Sequence, residues 1–512
     1  MDHDCIVVGA GPTGTVLATL LGQAGHRVLV LERDPEVYPL PRAVHMDHEI
    51  VRVLQQIGIA DALKAVSSPV GRYVFQNAAG DVLLDIDGGA RLATSGHPAS
   101  LMFVQPELEA MLRARLVSTP GVDVRFGATA RRIDVGPQGA GVTFEQNGQT
   151  QHSRVRYLIG CDGASSLVRR AIGTAMTDLN FDEPWVVVDT RITGHLDLPP
   201  DAAFQFCEPA RPTTCVPAGP GRRRWEFMLL PGETPEAMGR PEAIWPLLAR
   251  WGGPENLALV RIAVYRFHAL VAERWRQGPL LLAGDAAHQT PPFMGQGLCS
   301  GIRDAANLAW KLDRVLAGRA AERLLDSYQA ERAPHIRQVV ETSVAMGRIV
   351  CELNPARAAQ RDAAMIAARA AGSPAIRASD QGQVAPLADG LTRTGDPGAG
   401  RLFPQPGGHR LDAAGRLDDV VGCGTRLVVT DRRLLPDPQT LRDRDIEPVI
   451  LGDAGADGFI ESEPPGAASW LAQIERPAAL VRPDHYVFGT AGTAAEVEGL
   501  VDEFTAAVDL QP

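Results

Sequence analysis

The chain has 512 residues, 45% hydrophobic and 22% charged, with a formal net charge of −11 at pH 7. This length accommodates two or three domains with a large core, and this balance excludes wholesale disorder. The acidic surplus argues against nucleic acid or an anionic membrane as the main partner.

The chain starts Met1-Asp2-His3-Asp4, acidic where a secretory signal is basic, and it carries no apolar run long enough to span a bilayer. Its seven cysteines (5, 161, 207, 215, 299, 351, 423) are dispersed, with no CxxC pair. A cytoplasmic protein with reduced thiols is expected. No cluster has metal-ligand spacing. The nearest, His45-x-x-His48-Glu49, reads as polar residues near a helix start.

In chain order, Cys5 to Val8 reads as a strand, the Leu17, Leu20, Leu21 spacing as a helix closed by Gly25, and Arg27 to Leu31 as a second strand. Such a βαβ opening implies a parallel sheet. Ile50 to Val66 reads as helical. "YVFQNAAGDVLLDI" reads as a hairpin about Asn77–Gly80, and Pro106 to Leu116 as an amphipathic helix. "VDVRFGATARRIDV", "GVTFEQ" and "VRYLIGCDG" follow as strands. Alternation between Trp185 and Arg266 predicts an inserted antiparallel sheet. A βα pattern returns near Leu280, helices span Leu324 to Ala370, and 371–400 has linker composition. Residues 401–512 carry strands and helices of their own.

Gly9-Ala10-Gly11-Pro12-Thr13-Gly14 fits GxGxxG between strand and helix. Gly9 permits the tight turn, Gly11 lets a pyrophosphate approach the backbone, and Gly14 lets the helix pack on the strand. The phosphates meet free N–H groups at the helix start. Glu32 ends the second strand, where a carboxylate accepts hydrogen bonds from ribose hydroxyls. The motif implies a dinucleotide and does not choose between NAD and FAD.

Two distant segments bear on that choice. "YLIGCDGASSLVRRAIG" has a strand ending in Asp162-Gly163, and "LLLAGDAAHQTPPFMGQGLCSG" has one ending in Gly284-Asp285 before a Pro-rich loop and a helix. With GxGxxG, these motifs in this order resemble the group A FAD-dependent aromatic hydroxylases, the superfamily of p-hydroxybenzoate and phenol hydroxylases, over roughly residues 3 to 350. The stretches "PPFMGQGLCSGIRDAANLAWKL" and "YQAERAPH" resemble the 3-(3-hydroxyphenyl)propionate hydroxylase branch. The tail, with "RLVVT" and "VRPDHYVFG", resembles the thioredoxin-like C-terminal domain of larger members, without a CxxC.

The resemblance implies an α/β protein. It would have a Rossmann-like FAD-binding domain (1–180 and 270–370), a substrate-binding sheet (70–105 and 181–269), a linker (371–400) and a thioredoxin-like domain (401–512). Cys423 stands alone, so disulfide exchange is not expected there, and a structural or homodimer-contact role stays open. FAD would be held non-covalently by Gly9, Gly11, Pro12, Thr13, Gly14, Glu32, Arg33, Arg42, Gln105, Asp162, Gly284, Asp285, Pro292, Gly295, Gly297 and Leu298. Asp162 reads equally as a cap on the following helix. The implied chemistry is hydroxylation of a phenol by a flavin C4a-hydroperoxide formed with NAD(P)H and O2. A base or acceptor facing the phenol hydroxyl is then expected.

Pocket candidates beside the flavin are Phe206, Trp225, Phe227, Pro291, Phe293 and Met294, with Trp185 and Phe204 as further aromatics. Tyr265, His97 and His288 are candidate bases. Arg222-Arg223-Arg224 reads as an anion site or a solvated strand edge. Baeyer–Villiger or epoxidising chemistry, a non-oxygenating flavoprotein and an NAD-linked dehydrogenase are the alternatives.

Overall fold

Cys5–Val8 is buried along its whole length and sits inside a six-stranded sheet. The computed structural model of the chain describes residues 3–40, 42–87, 92–137, 139–372, 385–464 and 466–508. The strand order is Arg276–Gln277, Leu280–Leu282, Tyr157–Gly160, Cys5–Val8, Val28–Glu32, Val122–Phe126, parallel except for the first, edge strand. Continuous apolar runs form it because both faces are covered. The Pro12–Gln23 helix packs between Gln105–Ser118 and the long Gly297–Leu316 helix.

The run Val122 to Val135 is two strands in different sheets. The chain turns at Gly127, with φ +71°, and Thr129–Gly136 opens a three-stranded antiparallel meander with Gly139–Gln146 and Gln149–Val155.

The inserted sheet has eight strands, ordered His288–Gln289, Leu257–Ala272, Met176–Ile192, Arg222–Met228, Thr213–Pro217, Ala202–Phe206, Arg72–Gln76, Val82–Asp87. All pairings are antiparallel except Ala202–Phe206 with Arg72–Gln76. The Asn77 turn joins the last two strands, with the Asn77 side-chain oxygen accepting from the Ala79 and Asp81 amides.

Two long helices follow, Asp326–Val350 and Pro355–Ala370. Part of the stretch with linker composition, 373–384, lies outside the described residues. The part from 385 to 400 packs on the C-terminal layer: Arg393 N–H donates to Phe488 and Asp396 accepts from Thr490. That layer is a seven-stranded mixed sheet ordered Ala413–Arg416, Gly407–Arg410, Gly458–Glu463, Ile446–Leu451, Thr425–Val429, Ala478–Val481, Val487–Ala491. Buried polar contacts tie it to the rest: Arg52 to Asp418 at 2.6 Å, Arg482 to Glu331 at 2.7 Å, and the Tyr486 hydroxyl to Glu49 at 2.7 Å. Among the described residues no helix is long and apolar enough to cross a membrane.

Candidate active site

The glycine turn builds one wall of a cavity of about 1220 Å³, larger than the ~300–1,000 Å³ typical of a single small-ligand pocket. Gly9 has φ +100°, and a Cβ there would overlap the Cys161 carbonyl. A Cβ on Gly14 would overlap the Gly9 carbonyl oxygen, while one on Gly11 would meet no atom within 4 Å. The turn is thus packed from behind and open in front, a cradle that fits a dinucleotide pyrophosphate. The helix beginning at Pro12 has no side-chain cap, which leaves its first N–H groups for a ligand. Glu32 accepts from Ala10 N at 2.7 Å and Asp34 N at 2.8 Å, so its carboxylate is fixed where the strand meets the cavity.

Gly9, Gly11, Pro12, Thr13, Glu32 and Arg33 line this cavity, as do Arg42, Gln105, Asp162, Asp285, Pro292, Gly295, Gly297 and Leu298. Gly14 and Gly284 do not line it and act through packing, Gly284 against Thr13. Gln105 accepts from Arg42 N at 2.9 Å and from Ala43 N, and donates to Glu109, so it shapes the 42–43 backbone. Both Asp162 oxygens bond to the following helix start, from Ser166 Oγ at 2.5 Å and Leu167 N at 2.6 Å. Asp162 therefore caps a helix and faces the cavity at once. The Asp285 side chain opens into the cavity. Enclosure by the surrounding protein pushes its carboxyl above the usual range, against the pull of His288 and Arg42.

The inserted sheet forms another wall, and here the expected residues change. Side chains alternate faces along a strand. Arg224 and Glu226, Thr214 and Val216, Ala203 and Gln205, Tyr73 and Phe75 face the cavity. Phe206, Trp225 and Phe227 therefore face the other way, into a separate core where Trp251 lies 5.2, 6.3 and 6.3 Å from their rings. They are core residues, not pocket residues. Of the Pro-rich loop, Phe293 and Met294 line the cavity, but Pro291 does not; its carbonyl accepts from Ser343 Oγ at 2.6 Å.

Of the candidate bases, only Tyr265 lines the cavity. His97 is wholly buried elsewhere and bonds Gln55. His288 is buried against Asp304 at 2.6 Å. Nor is Arg222-Arg223-Arg224 a strand edge. The strand is interior, Arg223 donates to the Pro199 and Ala202 carbonyls, and Arg224 forks onto Asp189.

Three buried networks were not foreseen. Arg303 binds Asp47 and Glu49, each at 2.6 Å, and the Gln296 oxygen at 2.9 Å, steadying the start of the Gly297–Leu316 helix. Asp304 accepts from Gly284 N, His288 and Arg332, which locks the Gly284-Asp285 turn. Asp418, Cys423 and His485 offer ligand atoms within 4.8 Å of one another, but Arg52 and Arg426 already hold the Asp418 carboxylate, so this is an ion-pair knot.

The glycine-cradled cleft merges with a chamber walled by the inserted sheet. The chain belongs to the FAD-dependent aromatic hydroxylases: the FAD binding domain model matches residues 2–343, and the relatives it resembles over most of its length are hydroxylases of phenols. It is 40% identical, over 99% of its length and 95% of the relative's, to a Rhodococcus jostii (strain RHA1) protein named "Probable NADH-specific resorcinol 4-hydroxylase". It is 36% identical to the 3-(3-hydroxy-phenyl)propionate/3-hydroxycinnamic acid hydroxylase of Comamonas testosteroni, over 72% of this chain and 62% of that one. Among solved structures, the OxyS anhydrotetracycline hydroxylase from Streptomyces rimosus superposes with a TM-score of 0.78 at 25% identity, covering 100% of this chain and 99% of that one.

Proposed function

We propose that the protein hydroxylates a small phenol, with NADH as reductant and O2 as co-substrate, and that a dihydroxybenzene of the resorcinol type is its substrate. The overall change is balanced: ring C–H, O2, NADH and a proton give ring C–OH, water and NAD+. FAD, when bound, takes hydride from NADH and activates O2. The residues of this chain do the rest. Gly9, Gly11, Pro12 and Thr13 would hold the pyrophosphate, Glu32 and Arg33 the adenosine side. Arg42, Gln105, Asp162 and Asp285 would flank the ribityl chain, and Pro292, Gly295, Gly297 and Leu298 the isoalloxazine edge. The uncapped start of the Gly297–Leu316 helix supplies positive potential for a reduced, anionic ring.

The observation that carries this reading is the convergence of those separated loops on one cavity whose remaining wall is the inserted sheet. Residues 1–180 and 270–370 then form the FAD-binding unit, and 70–105 with 181–269 the substrate sheet. We read 401–512 as thioredoxin-like because Gly458–Glu463, Ile446–Leu451 and Thr425–Val429 pair in parallel while Ala478–Val481 and Val487–Ala491 add antiparallel strands. The lone Cys423 gives it no dithiol. The test is NADH oxidation by the purified yellow protein across a panel of phenols, with product masses one oxygen heavier. Colourless protein that binds NAD but not FAD would defeat the proposal.

A further inference from the structure

Resting on the phenol-hydroxylase reading, we infer that Glu226 is the catalytic acceptor that takes the hydrogen bond, and then the proton, of the substrate's phenolic hydroxyl. Register pairs Val187 with Glu226, Glu226 with Thr214, Thr214 with Gln205, and Gln205 with Phe75. One polar row, Glu226–Thr214–Gln205, therefore crosses the chamber between two apolar residues, Val187 and Phe75, and all five line the cavity.

The hydrogen bonds of that row run away from Glu226. Thr214 Oγ1 donates to Gln205 Oε1 at 2.6 Å, Gln205 Nε2 donates to the Tyr73 hydroxyl, and Tyr73 donates to the Phe293 carbonyl at 3.2 Å. The Thr214 and Tyr73 hydroxyl donors and one Gln205 N–H are thus committed, and among the described residues none donates a hydrogen bond to Glu226. Its closest cation is Arg224 Nη1 at 3.8 Å, and that guanidinium is spent on Asp189 and the Arg42 carbonyl. The Glu226 side chain is only 10% exposed, and that exposure is into the cavity. A buried carboxylate without donors is costly unless a ligand supplies one.

A phenol hydroxyl supplies it. As the proton moves to a Glu226 oxygen, the O–H electron pair enters the ring and makes the ortho and para carbons nucleophilic. One of them forms the new C–O bond with one oxygen of O2, to which NADH has supplied two electrons; the O–O bond breaks, the other oxygen leaves as water, and return of the C–H proton to the phenolic oxygen restores the aromatic ring. A carboxylate seated at this point would face a like charge in a low-dielectric wall, so the group against Glu226 is a neutral hydroxyl donor.

The charged and titratable groups around Glu226 are Arg224, Asp189, Arg261 and Tyr73. Burial lifts the Glu226 carboxyl above its ordinary range, Arg224 opposes this and Asp189 adds to it. Activity that needs the ionised form is then lost on the acid side.

The test uses the FAD-loaded enzyme with resorcinol and NADH. Glu226→Gln is expected to keep its flavin and its NADH oxidation, to release hydrogen peroxide instead of product, and to hydroxylate at least ~100-fold more slowly. The acid limb of its hydroxylation pH profile should disappear. Glu226→Asp should recover part of the rate and the limb. Hydroxylation by Glu226→Gln within about threefold of wild type, or an unchanged acid limb, overturns the assignment and leaves the phenol reading intact. A wild-type enzyme that adds oxygen to no phenol overturns both.

Discussion

Asp304 holds His288 on one carboxylate oxygen at 2.6 Å and Arg332 on the other at 2.9 Å, all three side chains being buried beneath the Gly284-Asp285 turn. Replacing Asp304 with Asn leaves a guanidinium without its counter-charge, and breaking a buried pair in this way costs about 3–5 kcal/mol. Denaturant unfolding of the variant should register that loss.

The same pair sets an acid limit. Burial alone would raise the Asp304 carboxyl, but His288 and Arg332 outweigh it and hold the group below the ordinary range; Asp418 is lowered likewise, against its own burial, by Arg52 and Arg426. A depressed folded-state value stabilises above the unfolded value, near ~4, and is lost as pH falls through the folded one. The melting temperature should hold steady at neutral pH and drop below pH ~4, with a shallower drop in Asp304→Asn.

Glu226 has the opposite sign. Its raised folded value means that the stability it contributes is present below the unfolded value and lost as pH rises. Glu226→Gln should therefore melt no lower than wild type at pH 7, and its relative advantage should shrink in acid.

The glycine turn separates fold from ligand. A Cβ at Gly11 meets open space, so Gly11→Val should fold and lose FAD, seen as colourless protein that melts where FAD-free wild type does. Gly14→Ala drives a methyl into the Gly9 carbonyl and should cost ~1–3 kcal/mol, the scale of an overpacked core.

Asp285 opens into the cavity and carries no fold-critical contact in the way that Asp304 does. Asp285→Ala should fold and weaken FAD retention on gel filtration; unchanged flavin affinity would show that it lies outside the cofactor contact.

Phe227 points into the Trp251 core. Phe227→Leu should cost ~1–2 kcal/mol with a phenol KM within about twofold of wild type, a result that a pocket-lining ring would not give.

What could be read from the chain beforehand divides by distance and by parity. The Gly9–Glu32 unit and the 284–298 loop are local patterns, in which spacing alone assigns turn, strand and helix start. The sheet wall is different. Alternation along "RRRWEFM" is plain, but it offers two faces, and the aromatic one, Trp225 and Phe227, belongs to the core behind the sheet. Glu226 stands between those rings and gave no signal until its register with Thr214 was known. The buried networks join residues far apart in the chain, such as Glu49 and Tyr486, and no local pattern links them.

The ties between the C-terminal layer and the nucleotide-binding part make the chain hard to shorten. Glu49 bonds both Tyr486 and Arg303, and Arg303 steadies Gln296 at the head of the Gly297–Leu316 helix. Cutting after residue 400 would strip counter-charges from Arg52 and Glu331 and a hydrogen bond from Glu49. The last hundred residues are therefore less an appendage than a keystone, and a minimal protein built by trimming them would lose rigidity at Gln296 and the head of the Gly297–Leu316 helix.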